Sequence, residues 1–314
     1  MNHQNPAPSS LVLLFQNGIF NMTLAAFSFA LMGASAKWLG NRLPSVELMF
    51  FRNIIGVTLI GVTLFRIPLR QKGGKPGLLI FRGIIGTLAL FGFFYNLTHI
   101  PLAEANTYNL TYPIFIGLIS ATILRNRVTP RQWLHIALGF IGILLIFRPT
   151  LDISLKNHLL GLWSGLGAAI AYLSINQLRH YYDHRATVLS FMVSGITLPL
   201  IGTSAGRIWP NATLDFLMAP FVWPIGQDWF FIACLGLAAM MGQIFVTRAL
   251  SLGNPAVVGP INYLQIPFAI LLGLFMGDAF PDGYTLLGIG LVILSGILIT
   301  TSTTQTKSSA YPKK

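Results

Sequence analysis

PLAEANTYNLTYPIFI, residues 101–116, has the apolar character of a membrane-spanning helix yet carries Glu104, Asn106, Tyr108, Asn109 and Tyr112. Pro113 lies in the same run, where it removes a backbone N–H and predicts a kink. Hydrocarbon does not tolerate so much polarity on a lipid-facing surface, so most of it is expected to face protein or a water-filled cavity. A similar run returns as GNPAVVGPINYLQIPF, residues 253–268. Pro113 and Pro267 stand 154 residues apart, and that offset sets Tyr108, Asn109 and Tyr112 opposite Asn262, Tyr263 and Ile266. Two polar, proline-broken helices in matching halves of a chain point to a transporter's binding site.

Composition agrees with a membrane setting. Of 314 residues, 54% are hydrophobic and 9% charged, and the mean hydropathy is +0.69; a soluble domain carries about 25% charged residues. The class is all-α integral membrane protein. The net charge of +12 would suggest a nucleic-acid partner in a soluble chain, but the placement of the charges argues for topology instead. Cys234, alone in an apolar run, excludes a disulfide framework. Residues 1–18 hold no Lys or Arg, so no cleavable signal peptide is expected.

Ten apolar spans of about 20 residues, the length that crosses a bilayer, are expected near 18–37, 46–66, 77–98, 101–123, 131–148, 158–178, 187–206, 228–248, 254–277 and 284–303. With the N-terminus inside, 14 of the 20 Lys and Arg residues, Arg82 among them, fall to inside segments and five to outside segments, with Arg52 left within span 2. Both termini are thus expected in the cytoplasm. Five spans are an odd number, so a second set matching the first must cross upside down: ten transmembrane helices in two inverted five-helix repeats. GFIGILLIF (139–147) against VILSGILIT (292–300) keeps the 154 offset. The expected division is a cytoplasmic tail 1–17, a first repeat 18–148, an extracytoplasmic linker 149–157, a second repeat 158–303 and a cytoplasmic tail 304–314. Gly161, Gly165 and Ala169, spaced by four, predict a close-packing face on span 6.

YNLTHIPLAEANTYNLTYPIF (95–115), ALSLGNPAVVGPINYLQIPF (249–268) and the lone Arg52 in FFRNIIG resemble the drug/metabolite transporter superfamily, and within it the EamA branch. The resemblance runs over residues 18–303 and implies a central cavity with alternating access. Many members carry a Gly-Glu pair after the fourth and ninth helices; here Arg125-Asn126 and Gly277-Asp278 stand near those places, so no role for that glutamate is carried over. The superfamily's cargoes include amino acids, nucleotide-like metabolites, vitamins and drugs, so the resemblance sets the class and leaves the cargo open.

Tyr108, Asn109 and Tyr112, at i, i+1 and i+4, share one side of span 4. Asn offers two donors and an acceptor, and Tyr a hydroxyl on a flat apolar face, a set suited to a small polar organic solute. Asn262, Tyr263 and Gln265 on span 9 are the matching candidates, with Gln243 on span 8 and Tyr95 on span 3 behind them. Helix–helix hydrogen bonding is the alternative role for all of them. Glu104 is the candidate for proton or charge coupling. Arg52, about 9 Å into its span, is expected either to pair with Glu47 or Glu104 or to read a substrate carboxylate. The expected partners are a small-molecule solute, membrane lipid, and a coupled proton or exchanged solute; no nucleic acid, metal or cofactor is expected, and oligomeric state stays open. No G-x-x-x-x-G-K-[ST] occurs, so ATP does not drive the chain directly. An intramembrane enzyme acting on lipid or peptide is the alternative class, but no span holds two acids, and G-x-S-x-G and H-E-x-x-H are absent. A flippase for lipid-like cargo is the other reading. The leading one is a secondary transporter of an amino-acid-like or nucleotide-like solute in a bacterial inner membrane.

Overall fold

A computed structural model describes residues 17–66, 72–123, 129–146, 153–209, 211–252 and 259–309. Among them there is no strand. The helices are α1 (Gly18–Leu39), α2 (Ser45–Arg66), α3 (Pro76–His99), α4 (Leu102–Asn109), α5 (Tyr112–Thr122), α6 (Pro130–Ile146), α7 (Leu155–Leu178), α8 (His184–Ile208), α9 (Asp228–Leu252), α10 (Gln265–Phe275) and α11 (Gly283–Ser309). A 3-10 turn, Gly259–Leu264, leads into α10.

Six of these helices are long and apolar enough to cross a membrane, and three shorter apolar helices accompany them. Local chemistry sets their starts. Asn17, Ser154 and Asp183 accept from the first free N–H groups of α1, α7 and α8, and Pro76 opens α3, where its missing N–H costs nothing. The sequence predicted a kinked span over 101–123. Instead the chain forms two helices: α4 ends at Asn109, Leu110 and Thr111 turn, and α5 restarts with Pro113 in its first turn. The last span, expected to end at 303, continues helical to Ser309. Arg125 and Asn126, near the first expected Gly-Glu position, lie outside the described residues.

The helices pack in pairs. α1 lies along α9, α3 along α7, α6 along α11 and α2 along α8, while α4 meets α10 at the centre. The apolar core gathers residues from all of these layers, among them Leu39, Met49, Phe94, Tyr108, Ile114, Leu235, Ile266 and Val292. Large apolar side chains such as Ile80, Leu144, Ile201 and Leu271 remain exposed on the perimeter, the arrangement a hydrocarbon surround favours. The sequence-predicted small face of α7 is used at the centre: a Cβ at Gly161 would stand 2.6 Å from the Tyr108 ring, and one at Gly165 would collide with Thr111 Oγ1. Glycine there lets α7 lie directly on the α4–α5 break.

Candidate functional site

The break between α4 and α5 leaves backbone carbonyls without helical partners, because Pro113 supplies no N–H and the chain turns at Leu110. Thr111 Oγ1 donates to Tyr108 O at 2.6 Å. Leu110 O accepts the Tyr263 hydroxyl at 3.2 Å, reaching across from the turn before α10. Nearby, the Gln265 amide donates to Asn106 Oδ1, and Asn106 donates back to Leu102 O at 2.7 Å. The two proline-broken segments are therefore stitched together through groups that each break exposes. Gly296 on α11 makes room for Tyr263: a Cβ there would overlap its hydroxyl.

Of the candidates, Tyr108, Tyr263 and Gln265 are buried. Tyr108 points its hydroxyl at His158 Nδ1 of α7, 2.6 Å away. Asn109 and Asn262 are half-buried at the two breaks, and Asn262 Oδ1 has no hydrogen-bond partner. Tyr112 is half-buried and tilts against Tyr172 of α7, ring centroids 4.8 Å apart. Two candidates stand apart from this centre. Gln243 is half-buried on α9, beside the contact of Gly242 with Phe29 of α1. Tyr95 lies at the end of α3, where it donates to Asp215 at 3.2 Å, stacks on His99 at 3.9 Å and receives the Lys156 ammonium 4.6 Å over its ring.

Arg52 pairs with neither acid proposed for it. Its Nη1 donates to Asn53 Oδ1 at 3.2 Å, and its guanidinium stands 5.9 Å from the Phe191 ring of α8. Both acids lie in other surroundings. Glu47 accepts the backbone N–H of Val222. Glu104, 8% exposed, lies near Lys37, Asp278 and Asp282, with its Oε2 unpartnered. Lys37 forms an ion pair with Asp278 and donates to Ile100 O at 3.2 Å, and Asp278 also accepts the first N–H of α4 from Leu102 at 2.9 Å. Asp278 thus ties α1, α4 and the segment after α10 together.

Sequence reasoning missed Arg82, which it counted as a loop charge. Arg82 is buried six residues into α3 and lies 4.3 Å over the same Phe191 ring. Tyr172, also missed, lies within electrostatic range of both guanidiniums. The signal for Arg82 was available: like Arg52, it sits inside an apolar span rather than at its rim. His158 had a weaker signal, since a lone histidine near a span end reads as interfacial.

Residues 16–148 match the EamA-like transporter family. An uncharacterised transporter of Helicobacter pylori strain J99 is 31% identical over 287 residues, covering 90% of this chain and 94% of that protein. The pseudopaline exporter CntI of Pseudomonas aeruginosa strain UCBPP-PA14 is 30% identical over 290 residues, covering 91% and 96%. A solved crystal structure superposes with a TM-score of 0.58 over 96% of this chain and 99% of that one; at 18% identity the likeness speaks for the fold alone. With relatives at this identity matched nearly end to end, this chain belongs to the EamA-like transporter family of the drug/metabolite transporter superfamily and is an integral membrane transporter rather than an enzyme.

Proposed function

We propose that this chain is a secondary transporter that carries a small organic solute by alternating access, the cargo sitting between two inverted five-helix halves. The observation that carries the reading is the junction of the two proline-broken segments, where Tyr263 of one satisfies the Leu110 carbonyl of the other. Broken helices at the middle of a bundle offer polar backbone and side-chain groups to a solute without exposing them to lipid. The helix pairing supports the two halves. Under exchange of α1–α6 with α7–α11, the contact of α1 with α9 becomes that of α7 with α3, and α6 against α11 maps onto itself. Tyr108, Asn109, Tyr112, Asn262, Tyr263 and Gln265 are the cargo-facing or gating groups in this reading.

The ion pairs Lys37–Asp278, Arg42–Asp228 and Lys156–Asp215 all lie at one end of the bundle. With both termini in the cytoplasm, as the basic residues predict, that end faces outward, and in this reading the pairs hold it closed. Opening it requires the pairs to part, and Glu104 beside Lys37 is placed to exchange a proton as they do.

The test is an untargeted comparison of solutes in cells and medium with and without the protein. At least one small organic solute is expected to redistribute, and a Tyr112→Ala, Tyr263→Ala double variant of equal abundance is expected to abolish the difference. No redistribution, or one indifferent to the double variant, contradicts the proposal.

A further inference from the structure

The described residues hold two buried cations without an acid between them. Arg52 of α2 is 7% exposed and Arg82 of α3 is 8% exposed. Both guanidiniums approach one ring, at 5.9 Å and 4.3 Å from the Phe191 centroid. The Nε of each, and Nη1 of Arg82, have no hydrogen-bond partner. Among the described residues no carboxylate pairs with either one; the single polar side chain bonded to them is Asn53, through Arg52 Nη1. Each guanidinium remains charged at neutral pH. Two such charges within electrostatic range of one another and removed from bulk water are costly unless a counter-charge arrives.

The neighbourhood also has an accessible side chain. Tyr172 is 49% exposed, although its neighbours come from α2 (Arg52), α3 (Arg82) and α5 (Tyr112). Tyr172 is thus an accessible ring that touches Tyr112 and lies within electrostatic range of both arginines. Tyr112 is in turn within electrostatic range of Tyr263 at the second break. The unpartnered N–H groups and the two hydroxyl-bearing rings thus form a series of neighbours that leads toward the central junction.

We propose that Arg52 and Arg82 bind the anionic group, a carboxylate or phosphoryl, of a soluble cargo, whose uncharged part lies along Tyr172 and Tyr112. The proposal rests on the transporter reading above and names its cargo class. A guanidinium presents a planar fork of donors that matches two oxygens of a carboxylate or phosphate, and the flat rings of Tyr172 and Tyr112 offer apolar faces beside it. Phe191 holds both guanidiniums from the side opposite to a ligand, through cation–π contact. An anion bound there would offset the repulsion between the two guanidiniums, so binding and stability are linked.

The test uses full-length protein purified in detergent, with thermal unfolding followed at constant ionic strength. The probes are succinate, inorganic phosphate, choline, glycerol and a short-chain phosphatidylglycerol. Saturable stabilisation by succinate or phosphate, not shared by choline or glycerol, is expected; which of the two acts separates carboxylate from phosphoryl recognition. Arg52→Gln and Arg82→Gln are expected to weaken it by roughly tenfold or more each, the loss typical of a charged hydrogen-bonded contact. Arg82→Lys, which keeps the charge but not the fork, is expected to bind at an intermediate level, and so separates recognition from mere folding. Stabilisation by no soluble anion, by phosphatidylglycerol alone, or equally in the Gln variants overturns the proposal. The solute comparison in cells separates the two readings. Anion binding without any redistributed solute sinks the transporter reading alone. A redistributed solute that lacks an anionic group, or that Arg82→Gln moves as well as wild type, sinks the anion site alone.

Discussion

Two sets of cations in the bundle are treated in opposite ways. At the end proposed to face outward, each described cation close to an acid is paired with it: Lys37 with Asp278, Arg42 with Asp228 at 2.8 Å, Lys156 with Asp215. Arg185 and Asp183 at the start of α8 form a further pair of this kind, whereas Arg52 and Arg82, within α2 and α3, sit against an aromatic ring with no acid. Paired charges satisfied inside the protein act as fasteners between helices, whereas a cation left without a counter-charge is poised to take one from outside. In the proposed reading the difference separates the outward gate from the anion site, and it can be broken experimentally from either side.

The largest contrast is expected between Lys37→Ala and Arg82→Met. Removing Lys37 leaves Asp278 largely shielded and beside Glu104. The loss is expected to be roughly 1–3 kcal/mol, between the values for fully buried and exposed pairs, read as a lowered midpoint of thermal unfolding. Removing Arg82 takes away an uncompensated buried charge, so the ligand-free protein is expected to become more stable by about 1 kcal/mol while transport is lost. A protein stabilised and inactivated by one change would mark a functional site held at the expense of stability; destabilisation by Arg82→Met would mean the arginine is structural.

Tyr172→Phe keeps the ring against Tyr112 and deletes the hydroxyl near the guanidiniums. It is expected to weaken anion binding by about 1 kcal/mol, one hydrogen bond's worth, measured by titration of the thermal shift. Glu104→Gln addresses the paired end. Transport is expected to lose its pH dependence while anion binding at Arg52 and Arg82 stays unchanged, and a pH profile identical to wild type would remove Glu104 from coupling. The smallest effect belongs to Arg42→Ala. Its side chain is half-exposed, and the loss is expected to stay below about 1 kcal/mol.

Much of this arrangement was legible before any coordinates. The polar, proline-bearing runs at 101–116 and 253–268 announced the central junction, because polarity inside an apolar span has to be buried against protein or water. The small face at Gly161 and Gly165 announced the helix that packs on it. Sequence distance hid the rest. Whether Arg52 meets Glu47, Glu104 or neither depends on which helices lie side by side, and α2 pairs with α8 while Glu47 is drawn to Val222. Arg82 was taken for a loop charge because it stands close to the start of its helix; a guanidinium at that depth can snorkel outward or turn inward, and only the packing of α3 against α7 and α8 decides between them. Asp278, in the stead of the expected glutamate, reads as an exposed loop acid until the fold brings it to Lys37 and Leu102.

The most direct measurement needs no knowledge of the cargo. Tyr172→Cys, in a background with Cys234 replaced by serine, can be exposed to a membrane-impermeant maleimide from either face of sealed vesicles. If Tyr172 lines a water-filled space beside the arginines, closed outward by the ion pairs, the new cysteine labels from the cytoplasmic face only, and succinate or phosphate slows the labelling. Labelling from neither face, or from the outer face alone, would contradict the account.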